Sequence, residues 1–149
     1  MKKYIGVKIV TAEPMTRGAY NHYRGWLVPV DENPHDPGYL VKYDNKYISW
    51  CPKIPFEQAN RPTDAMSFGH AIEAAKKGFK VARKGWNGKN MFIFIREGRE
   101  ITGVDPASPM GGDFVSLPHF CMRAADGKCV VGWLASQTDM LSDDWVMVD

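Results

Sequence analysis

The sequence contains no apolar run approaching the ~20 residues that cross a bilayer. Its basic start, Met1-Lys2-Lys3, is followed by Tyr4-Ile5-Gly6-Val7 and then by Lys8, which interrupts the stretch too soon for an export signal. No charge sign dominates: 19 basic side chains face 17 acidic ones, a net charge of +2. That balance lacks the electrostatic footprint of a duplex-DNA binder. The three cysteines, Cys51, Cys121 and Cys129, are odd in number and show no Cys-x-x-Cys spacing, which argues against a zinc knuckle and a disulfide scaffold and fits reduced thiols in a soluble intracellular protein. Walker-type, His-Glu-x-x-His and Gly-x-Ser-x-Gly patterns are absent. His22, His35, His70 and His119 are scattered without metal-ligand spacing. A paired-carboxylate mechanism could draw only on Asp139, Asp143 and Asp144, each read more simply as a surface or helix-cap residue. No metal, cofactor or catalytic set is expected.

What the sequence does contain is enough apolar material, 44% of 149 residues, for one ordinary domain or two small ones. The proline and polar residues of Asn60-Arg61-Pro62-Thr63-Asp64-Ala65 precede a new apolar period at Met66, so a linker is expected there. Residues 1–61 read as a small β-rich module. Its expected elements are a strand over Tyr4 to Val10 and a hairpin of Tyr39–Tyr43 with Lys46–Trp50 around Asp44-Asn45. Asp31 to Gly38, with two prolines, reads as an exposed loop, and Pro55 to Asn60 as a short helix with Pro55 in its first turn.

Residues 66–149 predict an α+β fold, an antiparallel sheet packed on one main helix. Ser67 is the expected N-cap; Phe68, Ala71, Ile72, Ala75 and Phe79 follow at helical spacing, and Gly78 is the stop. A strand over Lys80 to Lys84, a break at Gly85 to Gly88 and the apolar strand Met91 to Ile95 come next; the last reads as central and covered on both faces. If Asp126-Gly127 makes a two-residue hairpin turn, Phe120, Met122 and Ala124 face Trp133, Val131 and Cys129. That register places Cys121 and Cys129 on opposite faces and makes Trp133 a core anchor.

Two segments carry binding chemistry. Trp86-Asn87-Gly88-Lys89 combines an aromatic face, an amide, a flexible backbone position and a cation, which suits stacking a base and holding a polar edge or phosphate; it also suits a plain β-turn with a packed Trp86. Ser136-Gln137-Thr138-Asp139 lies between Trp133 and Trp145. Ser136 can cap a short turn with Met140 and Leu141 pointing inward, leaving the polar groups to bond with backbone or with a ligand.

The blocks M-S-F-G-H-A-I-E-A, V-A-R-K-G-W-N-G-K, M-F-I-F-I, L-P-H-F-C-M, A-D-G and W-L-A-S-Q-T-D-M-L-S-D-D-W, in this order and spacing over residues 66–149, resemble the phage Thoeris anti-defence family of the second type. The resemblance implies an α+β homotetramer with ligand pockets between protomers, acting in the host cytoplasm. It implies a non-catalytic sponge that sequesters glycocyclic ADP-ribose signals made by TIR-domain proteins. By matching motif, Trp86, Asn87, Gly88, Ser136, Gln137, Thr138 and Asp139 become the ligand-binding candidates. An adenine for stacking, ribose hydroxyls and a diphosphate are chemically compatible with that set. A hydrolase of the same nucleotides using Asp139 or His119, and a structural or protein-binding phage component, are the alternatives. Residues 1–65 lie outside the family pattern.

Overall fold

The computed structural model describes residues 1–149, which fall into two compact units, Met1–Arg61 and Pro62–Asp149. The first contains β1 (Thr11–Pro14), α1 (Arg17–Tyr23), β2 (Gly38–Lys42), β3 (Ile48–Pro52) and α2 (Lys53–Ala59), with the strands antiparallel in the order β1-β2-β3. Helix α1 begins where the Thr16 hydroxyl accepts from the Ala19 N–H at 3.2 Å, and it buries Tyr20 and Asn21. Arg17 forks onto Glu32 at 2.6 and 2.8 Å, and Asn21 donates to the same carboxylate at 3.1 Å. These bonds hold the Glu32 carboxyl down at about 2, and they anchor a loop whose other carboxylates, Asp31 and Asp36, are exposed. Helix α2 carries Pro55 in its first turn, where a missing N–H costs nothing.

Two expectations for this unit are corrected. Residues 1–10 form no strand. The β1 register sets Thr11 opposite Lys42, so the chain before Thr11 runs past the end of the β2–β3 hairpin, where no strand remains to pair with it. The hairpin itself turns through three residues, not two: Lys46 N–H donates to Tyr43 O at 2.9 Å, Tyr43 N–H donates to Tyr47 O at 3.0 Å, and Lys46 has φ 65°. This is a type I turn closed by a left-handed residue, and it moves the pairing by one position.

The second unit contains α3 (Phe68–Lys76), β4 (Lys80–Arg83), β5 (Phe92–Arg96), β6 (Glu100–Ile101), β7 (Phe114–Val115), β8 (His119–Arg123), β9 (Cys129–Val131), α4 (Gln137–Leu141) and β10 (Trp145–Val148). The five-stranded antiparallel sheet has the order β10-β4-β5-β8-β9, and β6 pairs β7 separately. The fold is α+β, as expected. Ser67 caps α3, and Gly78 ends it with φ 92°. The small face Ala71, Ala74 and Ala75 lets α3 sit close on Met66, Val81, Ile93, Met122 and Trp145, all buried. Pro62 to Ala65 belong to this unit: Met147 N–H donates to Thr63 O at 2.8 Å, and Met66 bridges Trp145.

Three further corrections concern the sheet. β5 is central, yet only Ile93 is buried along it. Phe92 and Phe94 point to the face away from α3, where Lys80 and Arg123 lie over the Phe92 ring at 5.3 and 5.9 Å. A recess of about 460 Å³ opens there. The β8–β9 hairpin again has a three-residue loop, with Gly127 at φ 85° and Gly127 N–H donating to Ala124 O at 2.9 Å. Its register therefore pairs Arg123 with Cys129, Met122 with Val130 and Cys121 with Val131. Cys121 and Cys129 consequently share a face, contrary to expectation, although both are free thiols. Burial, with the neighbouring Cys129 second, raises the Cys121 thiol.

The one-residue displacement is undone at the far end of β9. Gly132 N–H and Trp133 N–H both donate to Phe120 O at 3.0 Å, a bulge with Gly132 at φ 81°. The extra residue returns Trp133 to the side of Phe120, with ring centroids 6.3 Å apart. Trp133 thereby packs against the core.

Candidate ligand-binding site

Alternation along β4 sends Val81 and Arg83 to the same face, so a cation enters the α3 side of the sheet directly after a core valine. Its side chain is 12% exposed and takes two carboxylates. Arg83 Nε donates to Asp144 Oδ1 at 2.8 Å, and its Nη1 donates to Asp139 Oδ1 at 2.9 Å. Asp144 Oδ2 also accepts from the Gly85 N–H at 2.8 Å. The bonds to Asp144 and Asp139 hold the guanidinium's proton more firmly than usual.

Asp139 is the centre of this cluster. Its Oδ1 accepts from Arg83 and from the Trp86 indole N–H at 3.0 Å. Its Oδ2 accepts from Ser136 N–H at 3.0 Å and Ser136 Oγ at 2.8 Å, while Ser136 Oγ accepts from Asp139 N–H at 3.1 Å. The two bonds donated by the Ser136 and Asp139 backbone N–H groups form a capping box at the start of α4. A carboxylate offers about four acceptor positions, and all are occupied here. Burial pushes the Asp139 carboxyl upward, but the bonds from Arg83, Trp86 and Ser136 outweigh it and bring the group down to about 2. The Asp139 carbonyl also accepts from the Trp145 indole N–H at 2.9 Å.

The two predicted segments, about fifty residues apart in sequence, therefore meet at Trp86 and Asp139. Trp86 sits edge-on to Trp145 and Trp133, with centroids at 5.4 and 6.0 Å. Ser136 is engaged in the cap. Asn87, Gln137 and Thr138 are exposed. Gly88 is closely packed: a Cβ there would meet Met91 Sδ at 2.1 Å, so the Met91 side chain would have to move, and Ala125 Cβ at 3.0 Å. Met140 and Leu141 do not point inward as expected. Leu141 is 81% exposed and the buried residue of α4 is Asp139, because the single turn is held by polar bonds to β4.

Arg83 was not among the sequence candidates, and Asp144 was weighed there only for a paired-carboxylate mechanism. The available signal was the order Val81-Ala82-Arg83: a strand that alternates onto a core face and then places a cation there needs a buried anion elsewhere in the chain. His119 lies apart from the cluster. In β8 it alternates with Phe120, on the face away from α3, and its Nδ1 is 2.7 Å from Leu117 O, while Nε2 is buried without a partner. No group of three or more His, Cys, Asp or Glu converges as a metal site. No helix is long and apolar enough to cross a membrane.

The second unit is thus a small α+β domain in which a partly buried arginine–carboxylate cluster fastens two polar loops over a tryptophan core. Residues 66–148 match the Thoeris anti-defense 2-like domain, more than half of the sequence, and the chain belongs to that family. A protein named Thoeris anti-defense 2 from Bacillus phage SP01 is 41% identical over 90 residues, covering 56% of this chain and 94% of that relative. Residues 1–65 lie outside the family match.

Proposed function

We propose that the protein is a phage inhibitor of Thoeris defence that binds a glycocyclic ADP-ribose signal in the host cytoplasm and holds it without cleavage. The observation that carries this reading is the Trp86–Asp139 bond in a domain of the Thoeris anti-defense 2-like family. It joins two loops rich in neutral hydrogen-bonding groups into one rim. In this reading Asn87, Gln137 and Thr138 address ribose hydroxyls and base edges, Lys89 addresses the diphosphate, and Trp86 supplies an aromatic wall. Asp139 and Ser136 act from below by fixing Trp86 and the start of α4. The functional form is a homotetramer with pockets between protomers.

The hydrolase alternative is disfavoured by the state of its proposed groups. A general base works best with a pKa near the operating pH, whereas Asp139 is held at about 2 and its acceptor positions are filled. His119, on the opposite face of the sheet, cannot form a dyad with it.

The test is calorimetric titration with cyclic ADP-ribose isomers, followed by heating and chromatography of the released nucleotide. Intact ligand is expected. Sequestration requires a dissociation constant below the signal concentration, and nanomolar binding corresponds to about −12 kcal/mol. Asn87→Ala and Gln137→Ala should each weaken binding by about 1–3 kcal/mol. As surface changes they should alter stability by less than about 0.5 kcal/mol. Recovery of a cleaved product would overturn the sponge reading, and wild-type affinity in both variants would move the pocket elsewhere.

A further inference from the structure

The first unit exposes two apolar strips whose charges are complementary. One is the start of the N-terminal arm, Met1 to Ile5, in which Lys2 and Lys3 precede Tyr4 and Ile5; these two are 88% and 94% exposed. The other is Trp26-Leu27-Val28-Pro29-Val30, which belongs to no helix or strand and exposes Leu27 at 94% and Val30 at 106%. It is followed by Asp31 and Asp36, exposed carboxylates outside the Arg17–Glu32 pair. Runs of consecutive exposed apolar residues are unfavourable in a soluble protein unless something covers them.

We propose that the arm of one copy lies antiparallel against the Trp26–Val30 strip of a second copy, in a reciprocal exchange. The antiparallel direction is fixed by charge. The arm runs from basic to apolar and the strip from apolar to acidic, so only that direction sets Lys2 and Lys3 against Asp31 and Asp36 while apolar residues meet between them. A parallel arrangement would place the lysines beside Trp26 and Arg24. The occupant is a second copy because the arm does not cover its own strip. It leaves β1 past the hairpin end, with Lys8 Nζ over the Tyr43 ring at 5.7 Å, and Tyr4, Ile5, Leu27 and Val30 remain open. Exchange about a two-fold axis uses each arm once and covers each strip once. Pro29, which lacks an N–H, is tolerated because the strip pairs on one side only. The residues involved lie outside the family match, so this contact is additional to any that the second unit makes.

The test mixes full-length protein labelled with light and heavy nitrogen, refolds the two together, and treats them with a carbodiimide that joins touching amines and carboxylates. Cross-linked peptides should connect Lys2 or Lys3 to Asp31 or Asp36, and about half should carry one label of each kind, as random pairing of copies in a symmetric dimer requires. The double variant Lys2→Glu, Lys3→Glu, which has no ε-amine at either position, is the blank for these peptides. Adding Asp31→Lys and Asp36→Lys to it should restore them with the charges exchanged. Links found only between peptides of the same label would mean that the arm folds onto its own strip, and absence of the links in the wild type would mean that the strips do not meet. Either result overturns the proposal, as does failure of the charge-exchanged quadruple variant to form the reversed links.

Discussion

Replacing Asp139 by Asn removes one negative charge with almost no change of shape, and the structure sets what this should cost. The native carboxyl falls from the ordinary 3.8 to about 2, and each unit of such a shift is worth about 1.4 kcal/mol, so the ionised form contributes about 2 kcal/mol to the folded state. The side chain is 12% exposed, so solvent screening removes little of this. The amide adds a second cost, because its NH₂ cannot accept from the donors on one of the two oxygens. The expected loss is about 2–4 kcal/mol at neutral pH. The sign of the pH dependence follows from the depressed native value. The stabilisation is fully present above the unfolded value near 4 and disappears as pH falls through about 2. The Asn variant has no such group, so the gap between the two proteins should close over that window. Urea titrations followed at the tryptophan indole N–H signals would measure it, since Trp86 reports the second unit and its indole donates directly to Asp139. A variant as stable as wild type at pH 7, or a gap of equal size at pH 7 and pH 2, would refute the assignment of Asp139 as the ionised centre of the cluster.

The same cluster predicts that Arg83→Met costs about 3–5 kcal/mol, because two carboxylates lose their shared cation. Arg83→Lys should recover only part of that in a denaturant titration, since an ammonium lacks the planar fork that reaches both Asp139 and Asp144. Gly132→Ala, with open space around the added methyl but φ at 81°, should lose about 1–2 kcal/mol through backbone strain alone and shift the Trp133 fluorescence. A chain beginning at Pro62 should unfold at higher urea than one beginning at Met66, because only the longer one keeps the Thr63 carbonyl that accepts from Met147. Equal midpoints for the two chains would show that Pro62 to Ala65 are a linker, as their composition suggests.

The parts of the fold legible in the sequence are those set by local signals. Helix α3 announces itself through Ser67, Phe68, its alanine spacing and Gly78, although Phe79, expected on the same face, lies beyond the helix and is 40% exposed. The register of β8 and β9 was not legible, because Asp126-Gly127 fits both a two-residue turn and a three-residue loop with Gly127 left-handed. What separates these is distant: the loop displaces the ladder by one, and the bulge at Gly132 restores Trp133 to the core side. The expected neighbour of Phe120 is therefore correct although the expected pairing is not. Strand propensity in Tyr4 to Val10 gave no indication that β2 and β3 would end before reaching it. At the site, the residue types were visible in the chain but their division of labour was not. Asp139 and Trp86 read as ligand contacts or as a local cap and a packed ring, and only their meeting across the fold shows that each occupies the other's polar group.

That meeting bears on how such a domain can hold a ligand. Ordering loops at the moment of binding subtracts from affinity, about 0.5–1.5 kcal/mol for each side chain immobilised. Here the chain's own bonds supply the ordering, since Arg83 holds the end of β4, the start of β10 and the first turn of α4, and Asp139 holds Trp86 and Ser136. The exposed groups Asn87, Gln137 and Thr138 thus project from a fixed base. The bonds that create this rigidity also lower the basicity of Asp139, so the carboxylate best placed beneath the rim is the one least able to accept a proton at neutral pH. Rigid presentation and suppressed basicity arise from the same four hydrogen bonds, and under the proposed function both favour retention of a nucleotide over its hydrolysis.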